Sequence, residues 1–312
     1  MRIVFCGNPE FAVPTLDALL ASDHEVAAVV TSPDQPQGRG RKLAPMPVKA
    51  IALERGLQVL SPGKLRDAGF LEQLRDIGPE ALVVVAFRIL PREMFALPKW
   101  GSLNVHPSLL PKGRGPAPIQ WTLLRGETET GVTIIRLTEQ IDGGGMLAQE
   151  RTAVAPSENF GELHNRLAGI GARMLVGVLD LLAAGASLNP IPQDESQVTA
   201  APKLRVIDFE LNLRESGGQL VNRIRAFSPA PGAVIRAGEF SLKIMRAELA
   251  DNPEPLTPGQ VQLNQDSMLI GTGDVPISLK IVKPAGKREM LIADFLRGRP
   301  ALPHCFDLTT LE

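Results

Sequence analysis

Two kinds of hydrophobic pattern alternate along the first half of the chain. Short apolar runs of strand length are followed by stretches in which apolar residues recur every three or four positions, as on one face of a helix. The run at 81–87 is apolar throughout, which is typical of a strand buried on both faces of a sheet. Strands separated by helices of this length predict a doubly wound, mostly parallel α/β sheet with helices on both sides. The predicted strands are 2–6, 25–31, 57–60, 81–87, 102–105, 131–137 and 146–154, and the predicted helices are 10–21, 47–55 and 64–77.

The second half of the chain has a different pattern. An apolar stripe with helical spacing from Phe160 to Leu181 predicts one long helix. The periodicity then disappears at 186–206, where three prolines stand among polar residues, which indicates a linker. After a predicted helix at 218–227, five short strand-like runs separated by turn residues predict a smaller C-terminal β-barrel of the open, OB-like kind. The sequence therefore divides into 1–185, a linker at 186–206, and 207–312.

Composition narrows the class of protein without identifying it. With 44% apolar and 21% charged residues, the chain has the composition of a soluble protein with a core. Cys6 and Cys305 lie at opposite ends in no metal-ligand spacing, which argues against a disulfide framework or a zinc site. The N-terminal apolar run is too short for a signal peptide, and the run at 81–87 is too short to cross a bilayer. We therefore expect a cytoplasmic protein without a membrane partner.

The net charge bears on possible partners. It is −1, whereas a nucleic-acid binder usually carries a basic surplus. An RNA partner would then depend on basic residues clustered on one face. The Gly- and Pro-rich segment at 33–43 is basic, with Arg39, Arg41 and Lys42 among its residues. It suits phosphate groups, and the alternative is a solvated surface loop.

Candidate catalytic residues follow the buried strands, because ligands bind beyond the carboxyl ends of the strands in open parallel sheets. Asn104 and His106 are two positions apart on a predicted strand, so their side chains project from the same side. Acyl transfer needs oxyanion stabilisation and control of a proton, which an amide donor and an imidazole together supply. The alternative is a capped strand end whose histidine has only structural partners.

A carboxylate for this pair is available at Asp142, which precedes the glycines 143–145. Glycines allow close approach of the backbone to a ligand, or positive φ. Asp142 in that place can orient His106, while an ordinary Asp-Gly turn explains the same residues equally well. A dinucleotide site is disfavoured, because Pro9 and Ala12 stand where the turn after the first strand needs glycines.

Together these motifs resemble those of the folate-dependent formyltransferases. The segment 104–111, Gly115, Pro118-Ile119 and the turn at 142–144 carry the resemblance, which extends over nearly the whole chain. The sequence departs from the family at Phe87-Arg88, where the family usually has Tyr-Gly after the alanine.

The resemblance narrows to the methionyl-tRNA formyltransferases. The basic loop at 33–43 resembles an insertion of that group, and the runs at 193–195 and 201–204 resemble its linker. The runs at 224–227 and 284–287 resemble its C-terminal domain. The resemblance implies a catalytic formyltransferase domain at 1–185 and a barrel-type tRNA-binding domain at 207–312.

The chemistry that the resemblance implies is transfer of a formyl group from 10-formyltetrahydrofolate to the α-amino group of initiator methionyl-tRNA, by a monomer that needs no metal. Asn104 would hold the formyl oxygen, His106 would stabilise the tetrahedral oxyanion, and Asp142 would orient His106. The residues implied to line the folate site are Ser108, Leu109, Leu110 and Pro111. The residues implied to contact the tRNA are Arg39, Arg41 and Lys42.

Three alternatives remain at this point. A sugar-nucleotide formyltransferase resembles the chain in both domains but lacks the basic insertion. A formyl-folate hydrolase would use the same three residues with water as the acceptor. The third alternative belongs to a different class of protein, a non-catalytic RNA-binding module. The combination of Asn104, His106 and Asp142 argues against it, because RNA binding alone does not need these three residues.

Overall fold

Strands and helices alternate through the first 183 residues, as the hydrophobic pattern predicts. The computed structural model describes residues 1–37, 42–251, 253–298 and 300–308. The strands in this half are β1 (Arg2–Gly7), β2 (Glu25–Val30), β3 (Gln35–Gln37), β4 (Lys42–Ala44), β5 (Val59–Leu60), β6 (Ala81–Val85), β7 (Ser102–His106), β8 (Glu129–Arg136) and β9 (Met146–Ala153). The helices are α1 (Val13–Leu20), α2 (Pro47–Glu54), α3 (Ala68–Ile77), α4 (Arg92–Phe95), α5 (Pro118–Leu124) and α6 (Phe160–Ala183).

Seven of these strands form one sheet in the order β5-β2-β1-β6-β7-β8-β9. The strands from β5 to β7 are parallel to their neighbours, whereas β8 and β9 are antiparallel. Every residue of β6 is buried, as expected of a central strand covered on both faces. The sheet confirms the predicted doubly wound, mostly parallel fold. It also brings the carboxyl ends of β1, β6 and β7 to the same edge.

The segment at 33–43 differs from the loop that the sequence predicts, because β3 and β4 pair there as a short antiparallel hairpin. Each of these strands has three residues, which is too few to show a period of two. The predicted tRNA contacts Arg39 and Arg41, and the side chain of Lys42, lie outside the described residues. Across the described ranges, no helix has both the length and the apolarity needed to cross a membrane.

The C-terminal part of the chain forms a curled antiparallel sheet, a half-barrel. Its strands have the order β10-β11-β14-β13-β12, with β15 paired to β14. This sheet confirms the predicted barrel-type fold. It contains one strand that the sequence does not predict, β15, which has too few residues to show a hydrophobic pattern. The strands are β10 (Ala233–Ala237), β11 (Phe240–Leu249), β12 (Val261–Leu263), β13 (Met268–Ile270), β14 (Ile277–Pro284) and β15 (Met290–Leu291), and the helices are α7 (Gly217–Ala226) and α8 (Ile292–Arg297).

The chain divides into two compact units that are not continuous in sequence. The first contains the seven-stranded sheet and consists of Met1–Gly115, Glu129–Ala153 and His164–Ala201. The second consists of Pro116–Thr128, Val154–Leu163 and Pro202–Glu312. Within the second unit, Leu124 of α5 packs against the core of the half-barrel, and Trp121 Nε1 donates to the carbonyl oxygen of Pro202 at 2.8 Å. The domain boundaries at 185 and 206 stay a prediction from the sequence.

The two cysteines have opposite environments, which predicts different reactivity. Cys6 is fully buried in β1, and burial raises the pKa of its thiol because the thiolate would lose its hydration there. Cys305 is exposed.

We expect an aromatic disulfide reagent to titrate one thiol per folded chain at neutral pH and two after denaturation. Cys305→Ser should abolish the reaction of the folded protein, and Cys6→Ala should leave it unchanged. Rapid reaction of both thiols in the folded protein would contradict this assignment.

Candidate active site

The strand β7 carries two polar residues at the centre of the candidate site. Asn104 is paired with Ile135 of β8, and His106 with Thr133, so the side chains of Asn104 and His106 share one side of the strand. Asn104 is half-buried, and among the described residues its side-chain amide has no hydrogen-bond partner. This amide is therefore free to bond a ligand that reaches the end of the sheet.

The imidazole of His106 is buried and has two polar partners. Its Nε2 lies 2.9 Å from the carbonyl oxygen of Gly113, and its Nδ1 lies 3.6 Å from Oδ1 of Asp142. A carbonyl oxygen only accepts hydrogen bonds, so Nε2 carries the proton of the neutral ring. Nδ1 then faces the carboxylate of Asp142. The structure thus brings together the imidazole and the carboxylate that the sequence proposes as a pair.

The backbone around Asp142 fixes the position of its carboxylate. Oδ2 accepts the N–H of Gly115 at 2.9 Å, and the side chain is 15% exposed. The φ angle of Asp142 is 52°, in the left-handed region that aspartate tolerates better than most residues. Residues in such conformations concentrate at functional sites, where the surrounding contacts hold them.

None of the glycines after Asp142 has a positive φ, so backbone conformation does not require glycine there. A Cβ on Gly144 would lie 1.8 Å from the carbonyl oxygen of Arg136. A Cβ on Gly143 would meet only the side chain of Gln140, which is exposed and flexible. The sequence suggests approach of the backbone to a ligand or positive φ, whereas the close contact of Gly144 in the structure is with the backbone at the end of β8.

The loop at 108–111 is held by two side chains of the antiparallel strands. Thr133 Oγ1 donates to the carbonyl oxygen of Ser108 at 2.7 Å and accepts the N–H of Leu110 at 3.2 Å. Gln149 Nε2 donates to the carbonyl oxygen of Leu110 and to Thr133 Oγ1, both at 2.9 Å. The backbone of this loop therefore has a fixed position next to His106.

The four residues predicted to line the folate site differ in their exposure. Ser108 is buried, and its Oγ donates to the carbonyl oxygen of Lys112 at 2.6 Å. Leu110 is also buried. Leu109 and Pro111 are half-buried. Leu109 and Pro111 thus offer apolar surface, while Ser108 and Leu110 shape the loop from its inner side.

The loop that departs from the family pattern follows β6. The predicted strand 81–87 ends early at Val85, because Ala86 has a φ of 46° and turns the chain out of the sheet. Arg88 donates to the carbonyl oxygens of Pro62 and Gly63 at 3.0 and 3.2 Å. Partial burial lowers the pKa of Arg88, since its charged form loses hydration. The arginine thus ties this loop to the segment after β5.

Sequence reasoning misses two side chains that hold the loops of the site, Arg114 and Gln193. Gln193 donates to the carbonyl oxygens of Asp142 and Gly144, and Arg114 donates to Gln193. Arg114 and Gln193 are 79 residues apart, so no local pattern connects them. The one available signal is the polar Gln-Asp-Glu run at 193–195 in the predicted linker. In the described part of the chain, no cluster of His, Cys, Asp and Glu is able to hold a metal ion.

An amide, an imidazole and a carboxylate at the carboxyl end of a central strand define a site for transfer of an acyl-type group. Residues 1–179 match the Formyl transferase family, and residues 203–300 match the Formyl transferase C-terminal domain. The chain therefore has the fold of a formyltransferase.

The chain is 44% identical over 306 residues to Methionyl-tRNA formyltransferase from Moorella thermoacetica, with 97% of this chain and 98% of that protein aligned. It therefore belongs to the methionyl-tRNA formyltransferase family. Membership confirms the resemblance seen in the sequence and the prediction of a transferase.

Solved structures share this fold. WlaRD, a sugar 3N-formyl transferase determined in the presence of dTDP and 5-N-formyl-THF, superimposes with a TM-score of 0.67 at 17% identity, covering 92% of this chain and 99% of that one. Methionyl-tRNA formyltransferase from Clostridium thermocellum superimposes with a TM-score of 0.55 at 16% identity, covering 81% and 95%. At these identities the likeness shows the fold alone.

The glycine contacts generate a test of the loop that carries Asp142. Gly144→Ala places a methyl group against the carbonyl oxygen of Arg136, so the loop must move away from β8. Because a displacement of about 1 Å costs about 10²-fold in rate, we expect a loss of formyl transfer of that order. Gly177→Ala in α6 is the matched control, since the added methyl group would meet no described neighbour within 4 Å. Rates should be measured at saturating substrates, with circular dichroism to check folding. Equal rates for the two variants would contradict the packing argument.

Proposed function

We propose that this chain transfers the formyl group of 10-formyltetrahydrofolate to the α-amino group of initiator methionyl-tRNA in the cytoplasm. The observation that carries the proposal is the contact of His106 with Asp142, with Asn104 on the same side of β7 two residues earlier. The family to which the chain belongs and the name of its relative from Moorella thermoacetica support the same reaction.

In the proposed mechanism, Asn104 binds the formyl oxygen. Its amide lacks a partner among the described residues, so binding a carbonyl oxygen breaks no existing hydrogen bond of that side chain. The hydrogen bond strengthens as the carbonyl oxygen gains negative charge, which lowers the barrier to attack.

His106 supplies the second donor to the developing oxyanion. The Nε2–H that contacts Gly113 is the donor of the neutral ring, and the substrate oxygen shares this donor with that carbonyl as charge develops. Asp142, next to Nδ1, keeps the ring in place and stabilises a proton held there. The carboxylate thus allows the ring to take up the proton that leaves the amine.

The reaction balances without a covalent enzyme intermediate. The amine nitrogen bonds to the formyl carbon, and the bond from that carbon to the folate nitrogen breaks. The proton lost by the amine is carried on His106 and Asp142 and ends on the leaving nitrogen. An α-amino group has a pKa of about 7.7–8.0, so a weak base is sufficient.

The two substrates would bind different parts of the chain. The loop at 108–111 would line the folate, with Leu109 and Pro111 offering the exposed apolar surface. Arg39, Arg41 and Lys42 would contact phosphates of the tRNA, and the segment 207–312 would bind the rest of it as a tRNA-binding domain. The enzyme would act as a monomer.

Removal of the imidazole tests the catalytic assignment. His106→Ala takes away the donor and the proton carrier together, so we expect the rate of formyl transfer to fall by about 10²- to 10⁴-fold. His304→Ala is the control, because it removes an exposed histidine of the C-terminal part. Initial rates with labelled formyl donor give the answer, and circular dichroism checks the fold. Near-normal turnover by a folded His106→Ala protein would remove the mechanism.

A competition between acceptors tests the substrate, and Arg39→Ala tests the basic loop. With charged initiator tRNA and a dTDP-amino sugar both present, we expect label on the tRNA; label on the sugar would favour the alternative sugar-nucleotide activity.

Loss of one phosphate contact in Arg39→Ala should raise KM for the tRNA and lower the slope of its salt dependence by about 1, while KM for the folate stays the same. Arg173→Ala removes an exposed charge on α6 as the control. Identical tRNA kinetics in both variants would reject the loop assignment.

A further inference from the structure

Segment 193–201 of the predicted linker is bonded to both loops of the candidate site. Gln193 Nε2 donates to the carbonyl oxygens of Asp142 and Gly144, at 2.7 and 2.8 Å. Its Oε1 accepts two hydrogen bonds from Arg114, at 3.0 Å from Nε and 2.7 Å from Nη2. The two donor and two acceptor positions of this amide are therefore all in use. Each of their partners lies on a loop of the site.

Arg114 is in turn held by an acidic residue of the same segment. Its Nη1 and Nη2 donate to the two carboxylate oxygens of Glu195, at 3.0 and 2.7 Å. The arginine side chain is 10% exposed, and the paired geometry is the strong, directional form of a charge-assisted bond. Hydrogen bonding from Arg114 lowers the pKa of Glu195, because it stabilises the charged form of the carboxylate.

Backbone bonds join the same segment to the loop that contacts His106. The N–H of Gly113 donates to Thr199 Oγ1 at 2.9 Å, and the N–H of Arg114 donates to the carbonyl oxygen of Thr199 at 3.0 Å. Gly113 offers its own carbonyl oxygen to His106. Both partners of the imidazole, the Gly113 carbonyl and the Asp142 carboxylate, thus belong to loops that the segment 193–201 fixes.

The chemistry of Gln193 is specific to an amide. Two donors are needed toward the carbonyl oxygens of Asp142 and Gly144, and an acceptor is needed toward Arg114. A carboxylate of the same size satisfies the arginine but has no donor for the carbonyls. A thioether of similar length satisfies neither. The left-handed backbone of Asp142 is a conformation that needs such external contacts.

We infer that Gln193 is a positioning residue for the proposed reaction: it fixes the Asp142 loop so that the carboxylate faces His106, and Arg114 with Glu195 fixes Gln193. The inference rests on the proposed function, because it assigns to Gln193 an effect that passes through Asp142. In this role Gln193 does not need to contact either substrate. The effect therefore falls on the rate of the chemical step and spares substrate binding.

The test is a double-mutant cycle on kcat, with Gln193→Met, Asp142→Asn and the double variant. Displacement of the carboxylate by about 1 Å predicts a loss of about 10²-fold in kcat for Gln193→Met, with KM unchanged for both substrates. Residues that act as one unit are not additive. We therefore expect the double variant to be no slower than Asp142→Asn alone.

Two further variants separate positioning from general damage to the fold. Gln197→Met is the matched control, because within the described ranges the amide of this exposed residue donates only to Asp194 in the same segment. It should keep the full kcat. Gln193→Glu keeps a partner for Arg114 and loses both donors, so it covers the case in which Gln193→Met fails to fold. It should lose kcat to a similar extent.

The outcomes distinguish this inference from the proposed function. Full kcat in folded Gln193→Met and Gln193→Glu, or losses that multiply in the double variant, would overturn the positioning role alone. A rise in KM with unchanged kcat would also overturn it, since it would mean a contact with substrate. Full kcat in Asp142→Asn would instead refute the role of Asp142 in the proposed mechanism, and the positioning role with it.

Discussion

The candidate site depends on one buried imidazole that lies between a carbonyl oxygen and a carboxylate. The carbonyl of Gly113 determines which nitrogen of His106 carries the proton in the neutral ring, and Asp142 lies beside the other nitrogen. Neither partner is on β7, so the ring keeps its orientation only if two separate loops keep theirs. The close glycine packing, the left-handed aspartate and the bonds of the segment 193–201 all serve this requirement.

The sheet sets where these loops begin. β7 lies between a parallel and an antiparallel neighbour, and the chain leaves its carboxyl end into the 108–115 loop. β8 runs back along β7 until Arg136 lies opposite Leu103, and the turn that follows brings Asp142 back to His106. Thr133, paired with His106 across β7 and β8, also bonds the backbone at Ser108. The residue opposite the imidazole thus holds the start of the loop that follows it, which couples strand register to site geometry.

Much of this was accessible from the sequence because it depends on short-range pattern. The apolar run at 81–87 predicts a central strand, and the spacing of Asn104 and His106 predicts a shared face. The residues alone offer Asp142 as a partner for His106, but an ordinary Asp-Gly turn explains it equally well, since nothing local links residues that far apart; the family resemblance favours the pair. Gln193 was assigned to a linker because its partners, Asp142 and Gly144, are about 50 residues away in sequence. The turn at Ala86 left no signal either, because alanine rarely adopts a positive φ.

The discontinuity of the second unit has a consequence for biosynthesis. Leu124 leaves the ribosome long before the half-barrel core against which it packs, and so does the 154–163 segment. The seven-stranded sheet is complete by residue 153 and is able to form early. Leu124 must instead wait for about 80 or more further residues and the 154–163 segment for about 40 or more, because their contacts are long-range. During translation of this chain, α5 is therefore an apolar helix without its final partner, and a nascent chain arrested near residue 202 would expose it to chaperones.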